Sequence, residues 1–381
     1  MNQMSFVPQP PPPLLAASTS FSGERGAFLK MVSRGAALEL VTLGFYRFWL
    51  ATDIRRHLWT NTVVDGDAAE YTGRGKELLI GFLFAMAILV PIYLAYFLVS
   101  VEAERWKGFA GVPLVIAFYA FGQFAIYRAR RYRLTRTVWR GVRFWMDGSG
   151  WSYAGRSMLW ALLVVLTLGL AWPWREAALE RYKMQHSYYG DLQGGFEGRG
   201  WEFFKRAWWL LPCAVVSFVI LPLLPFVYAQ FRAVEWRWWL SGIRFGGARL
   251  ESTLQPGALH GLYWKVIGWF MLLSVASAIY FGVAAGIAAK LGKDAAEDGP
   301  PTPEVLFDNI PLLVMIGLGY VALMLALNVV MRLYLLRDMW ARVVGSVEVH
   351  GIAALANVAV KGDLASALGE GFADGLDVAG F

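Results

Sequence analysis

The sequence predicts an all-α polytopic membrane protein with about six transmembrane helices in repeated pairs and short β-hairpins on the cytoplasmic side. Three observations predict it. The 381 residues are 57% hydrophobic and only 17% charged, with a mean hydropathy of +0.46, whereas soluble domains carry about 25% charged residues. The apolar residues gather into uncharged runs near the ~20 residues that a bilayer crossing requires. Short blocks of sequence also recur at fixed offsets, each beside such a run.

The first residues, 1–20, read as a disordered proline-rich tail: Pro8 and Pro10 to Pro13 dominate it, and no basic region precedes a short apolar stretch as in a signal peptide. An interfacial helix and a first hairpin follow over 21–77. Met31–Leu50 carries Arg34, Glu39 and Arg47, and each charge costs up to about 2.5–3.5 kcal/mol at the bilayer centre. We therefore expect this segment to lie at the interface or to insert only in part.

Six runs follow: Leu78–Val101, Phe109–Tyr127, Ser157–Trp174, Ala207–Phe231, Val266–Ala289 and Ile310–Met331. None contains an ionisable side chain, so a proton- or sodium-coupled carrier is disfavoured. They divide the chain into span-pair units over 78–156, 157–261 and 262–350, with a tail over 351–381. Crossing six times puts 25 Lys and Arg on one side and 10 on the other, which predicts cytoplasmic termini. Six of the ten sit in 175–206, too many for an outside loop.

Self-comparison finds two repeats. Trp139-Arg-Gly141-Val-Arg143-Phe144 returns as Leu240-Ser-Gly242-Ile-Arg244-Phe245, and a weaker third copy runs from Arg332 to Val349. The segments Asn61–Tyr71, Gly141–Tyr153 and Ile243–Thr253 read as hairpins. Because isolated hairpins are marginal in water, we expect them to pack on one another or on interfacial helices. The second repeat aligns Thr42-Leu43-Gly44-Phe45-Tyr46-Arg47-Phe48-Trp49 with Thr167-Leu168-Gly169-Leu170-Ala171-Trp172-Pro173-Trp174. Either the two copies are inverted repeats, as in transporters, or Ser157–Trp174 does not cross.

The string Phe21-Ser-Gly23, then Thr42-Leu43-Gly44-Phe45-Tyr46 with Trp49, Arg56, Asn61-Thr62 and Gly66, resembles the YjgN-like family of bacterial inner-membrane proteins of unknown function. Gly242-Ile243-Arg244-Phe245, Ser252-Thr253-Leu254 and Leu262-Tyr263 are similar to it as well, so the resemblance covers roughly residues 21–350. Ala69 stands where the first hairpin of that family usually has Phe. The resemblance implies a multi-pass location in the bacterial inner membrane and carries no activity with it.

Chemistry-bearing patterns are few. Cys213 is the only cysteine, and His57, His186, His260 and His350 have no metal-ligand spacing. Gly73-Arg-Gly75 lacks the Gly-Lys-Ser/Thr end of a phosphate loop. We expect no enzyme and no catalytic, cofactor or metal site. The net charge of +7 comes from cations between apolar runs, which points to membrane lipids rather than nucleic acid as partners. The densest group is Arg128, Arg130, Arg131, Arg133, Arg136, Arg140 and Arg143, interleaved with Tyr132, Trp139 and Val142. It reads as a contact surface for anionic lipid headgroups or, more simply, as orientation signalling. The many tryptophans near run ends, among them Trp208, Trp209 and Trp264, fit an interfacial belt. Two function classes stay open: a non-enzymatic lipid- or partner-interacting membrane module, and a channel or transporter.

Overall fold

A computed structural model describes residues 16–102, 107–295 and 310–365. Ten short strands close into an antiparallel barrel in which sequence neighbours are also spatial neighbours, with β1 completing the ring between β2 and β10. They are β1 (Ala17–Phe21), β2 (Thr62–Val64), β3 (Asp67–Tyr71), β4 (Thr137–Trp139), β5 (Val142–Met146), β6 (Ser187–Tyr189), β7 (Leu192–Phe196), β8 (Ile243–Phe245), β9 (Ala248–Ser252) and β10 (Val347–His350). This corrects the all-α expectation with isolated hairpins. The hairpins predicted at Asn61–Tyr71 and Ile243–Thr253 are real strand pairs, but they join edge to edge with the other strands, because an unpaired sheet edge is a liability that full closure removes.

Two-residue turns link β2 to β3, β4 to β5, β6 to β7 and β8 to β9. Asp65-Gly66 and Arg140-Gly141 both have positive φ at each position, the type I′ pattern that suits the right-handed strand twist. The hairpin expected at Gly141–Tyr153 is therefore shifted, with Gly141 in its turn. Every other connection is helical. The meander topology forces all five helical arms to leave the barrel at the end opposite the turns.

The first arm is α1 (Arg25–Val41) and α2 (Arg47–Thr60), and the second is α3 (Gly75–Glu102) and α4 (Lys107–Thr135). The third is α5 (Gly150–Leu166) and α6 (Trp172–Gln185). The fourth is α7 (Gly200–Ala207), α8 (Leu210–Val219) and α9 (Leu224–Gly242). The fifth is α10 (His260–Ala295), α11 (Ile310–Met331), a π-helical stretch Arg332–Asp338 and α12 (Met339–Val344). Among the described residues, four helical stretches are long and apolar enough to cross a membrane: Gly75–Leu98, Gly111–Thr135, Pro256–Ile287 and Ile310–Val344.

The other two expected spans do not form single helices. Ser157–Trp174 breaks at Thr167–Ala171 and turns back as α6, and Ala207–Phe231 breaks around Leu221–Leu223 and turns back as α9. Met31–Leu50 is likewise a tight turn between two helices rather than one interfacial helix. The over-basic loop 175–206 carries β6 and β7 and so belongs to the barrel. Hydropathy cannot tell these cases apart, since an apolar turn continues an apolar run.

The register places one alternating set of side chains inside the barrel, among them Phe21, Val64, Trp139, Phe144, Tyr189, Phe196, Phe245, Leu250, Val347 and Val349. Packed aromatic and branched residues fill the lumen. The alternate positions include Ser18, Ser20, Glu70, Arg143, Gln193, Arg249, Glu251 and Glu348. A polar outside and an apolar inside is the pattern of a barrel in water, the reverse of one in lipid. At the turn end the chain continues past β10, and Ile352, Leu355 and Val358 pack onto Trp139, Val142 and Tyr189 as a lid over the lumen. The backbone N–H of Ala359 ties this lid to Asp191 at 2.9 Å.

Candidate membrane interface

The arms differ in what they expose. Near the barrel their inner faces are buried, as at Phe28, Val32, Gly35 and Ala36 of α1 and Tyr153, Ala154 and Ser157 of α5. Toward their tips they present apolar side chains outward: Leu43 is 90% exposed, Leu168 94% and Val219 85%. Such contiguous apolar patches on one end of a molecule mark a contact with another apolar phase.

The two Thr-Leu-Gly copies build the same tip. Thr42 donates its hydroxyl to the Leu38 carbonyl at 2.7 Å and accepts the N–H of Tyr46 at 2.9 Å. Thr167 donates to the Leu163 carbonyl at 2.8 Å and accepts the N–H of Ala171 at 3.0 Å. Backbone bonds from Gly44 to Glu39 and from Gly169 to Val164 close the turn at 2.6 and 2.7 Å. This meets the demand lipid makes on a non-helical backbone, that its polar groups find partners within the protein.

Leu43 and Leu168 both sit at φ +50°, and the glycines after them at +87° and +93°. A leucine in the left-handed region costs about 1–2 kcal/mol that Gly or Asn would largely avoid. An almost fully exposed leucine at that position is costly twice over in water and sensible in hydrocarbon. Replacing Thr42 and Thr167 by Val keeps the shape and removes both bonds at each tip. We expect T42V/T167V to lose about 1–3 kcal/mol per site, read as a lowered midpoint of thermal unfolding in detergent micelles; an unchanged midpoint would contradict this role.

Just below the apolar parts, each ascending helix carries exposed cations. These are Lys30 and Arg34 on α1, Lys76 on α3, Arg156 on α5, Lys205 and Arg206 on α7, and Lys265 on α10. Exposed Trp151, Trp201, Trp208, Trp209 and Trp264 lie at the same level of sequence. Lys205 lies over the Trp201 ring, 5.4 Å from its centre. Charged heads and indoles beside the apolar parts of the arms form the pattern of a headgroup belt.

The arginines singled out in the sequence occupy other places. Arg130 pairs with Glu180 at 2.7 Å, and Arg136 pairs with Glu77 at 2.9 Å while donating to the Ala365 carbonyl at 3.2 Å. Arg143 donates to the Thr135 carbonyl at 2.6 Å. Arg140 lies in the turn at the far end of the barrel, paired with Asp65 at 2.8 Å and with Asp67. Arg128 stacks over Phe124, 5.4 Å from the ring centre, and Arg131 and Arg133 are half-buried on the same descending helix. The seven do not form one surface. The cations missed by density alone have a different signal: each lies on the helix that follows a strand and just before an apolar run.

A buried ionic centre joins two arms: Glu180 of α6 meets Arg130 of α4 at 2.7 Å and Lys183 of its own helix at 2.6 Å. Burial alone would raise its pKa, but Arg130 and then Lys183 outweigh it and hold the group at about 2. Among the described residues, no three His, Cys, Asp or Glu side chains are grouped to hold a metal ion.

The profile of DUF898, described as bacterial proteins of unknown function, matches residues 16–238. This chain belongs to the DUF898, or YjgN, family. The matched part of the DUF898 chain holds β1 to β7 and the first four arms up to α9. Both Thr-Leu-Gly tips lie inside it, while the fifth arm and the three strands that close the ring lie beyond it. No curated protein and no solved structure matches the DUF898 chain.

Proposed function

We propose that this protein is a non-enzymatic module of the bacterial inner membrane, with its barrel in the cytoplasm and its five arms engaging lipid. The observation that carries the reading is the coincidence, at one barrel end, of four span-length helices, apolar tips and a cation–indole ring. Orientation rests on charge. With the six basic residues of 175–206 on the barrel side, the Lys and Arg ratio moves from 25:10 to 31:4, a strong bias toward a cytoplasmic barrel and cytoplasmic termini. The packed lumen offers no support for a conduit through the barrel, so the module reading is preferred to a channel or transporter.

Anionic headgroups suit the exposed ring, each cation near a charged surface contributing about 1 kcal/mol. In reconstituted protein, R156Q/K205Q/K265Q is expected to weaken enrichment of labelled anionic lipid around the protein by roughly tenfold or more. R140Q, at the opposite end, is expected to leave it unchanged. Equal effects from the two variants would remove the ring from the proposal. The membrane reading itself fails if the chain leaves vesicles in alkaline carbonate.

A further inference from the structure

We propose that this protein prefers curved bilayer, with the barrel-side leaflet convex, because its arms load the two leaflets unequally. The inference rests on the membrane reading above and adds to it a partner of defined shape. Distances along the helices from the cation ring sort the arms into two classes. At 1.5 Å per residue, α3 rises about 39 Å beyond Lys76 and α10 about 36 Å from Lys265 to Ala289, enough for a ~30 Å hydrocarbon core. The first and third arms, whose ascending helices are both 17 residues long, rise only about 20 Å from Lys30 to Leu43 and about 18 Å from Arg156 to Leu168, and the fourth about 21 Å from Arg206 to Ile220. Arg47, which lies over the Phe48 and Phe82 rings at 4.7 Å, sits beside the first tip.

Those three arms turn back inside the bilayer. The barrel-side leaflet therefore holds six more helix sections than the far one: α1, α2, α5, α6, α8 and α9. At a helix diameter of about 10–12 Å, each section occupies roughly 80–110 Å², so the difference is on the order of 500–650 Å². In a flat bilayer that excess compresses one leaflet. A bilayer bent with the barrel outside relieves the mismatch, which is the basis of curvature sensitivity in shallowly inserted helices. The left-handed leucines at the tips are consistent with this: the chain tolerates backbone strain in order to keep apolar bulk at the bottom of the wedge.

The test uses the full chain with a C-terminal epitope, reconstituted into vesicles of phosphatidylcholine and phosphatidylglycerol of roughly 30 nm and roughly 200 nm diameter. Protease added outside reports the fraction with the barrel outward. We expect that fraction to rise at least about twofold from large to small vesicles. A bulky barrel alone could favour the outside of a small vesicle, so the L43N/L168N/V219N variant is compared in parallel. It keeps the barrel and the four long helices and is expected to lose most of the rise. L43G/L168G, which also relaxes the left-handed positions, is a second variant with the same expectation. An equal barrel-out fraction in both sizes, or a full rise in both variants, overturns the curvature preference. Failure of the wild type to float with vesicles of either size overturns the membrane reading instead.

Discussion

Removing Ala17–Phe21 is expected to abolish the cooperative unfolding transition of this protein and to drive it into aggregates. β1 is the piece that turns a curled nine-strand sheet into a ring. It pairs with β2 through Thr19, Ser20 and Phe21, and with β10 through Ala17 and Ser18. Its Thr19 hydroxyl also reaches the Val347 carbonyl at 3.1 Å across the closure. Without it, β2 and β10 both become free edges, and Val64, Val347 and Val349 lose their cover. Free, apolar edges recruit other chains. The comparison that isolates the cause is V349E, which places a charge in the lumen while keeping every ladder bond. It should destabilise strongly without producing sheet-rich aggregates. A deletion variant that stayed monodisperse in detergent, with a sharp thermal transition, would show that closure is dispensable.

The second large effect is expected at Glu180. E180Q leaves Arg130 and Lys183 without their carboxylate in a buried place, and breaking such a pair typically costs about 3–5 kcal/mol. Titration leads to a similar figure. The folded carboxyl lies at about 2 against an ordinary 4.5, and each unit is worth about 1.4 kcal/mol, hence roughly 3 kcal/mol. The sign is that of a depressed acid. The contribution is complete above about pH 4.5 and is lost as the pH falls toward 2, because the unfolded chain takes up the proton first. Thermal unfolding in detergent between pH 6 and pH 3 should therefore converge for wild type and E180Q as the pH drops. Parallel curves would contradict the ionic account. The triple replacement R130M/E180L/K183M is expected to recover much of the loss, since a well-packed apolar centre leaves no charge uncompensated.

Much of this architecture is legible in the residues. Asp65-Gly66 between β-prone segments marks one hairpin, Gly141 flags a second although the strand before it goes unread, and the doubled Thr-Leu-Gly marks two equivalent segments. What stays hidden is how the pieces meet. β7 (Leu-Gln-Gly-Gly-Phe) reads poorly as a strand because of its two glycines. At Gly194 a Cβ would come within 2.8 Å of the Met184 carbonyl oxygen and 2.9 Å of that of Ser187, so a long-range packing constraint chooses a residue that local propensity disfavours. β1 and β10 are invisible as a pair, since nothing local connects residues so far apart. The dense arginines announce themselves, but Glu180, Glu77 and Asp65, which engage three of them, lie on other elements. The exposed cations of the ascending helices are sparse along the chain and become a ring only once five arms leave one end.

The meeting of the first and last strands has a consequence for biosynthesis. On the ribosome, β1 is made before the other strands and its second neighbour, β10, after them all and after all five helical arms. Until then the growing sheet has an open seam, and the interior aromatics stay wetted along it. Final compaction is therefore a late event. A chain stalled before Val347 would present that seam to the quality-control machinery as an unfinished product.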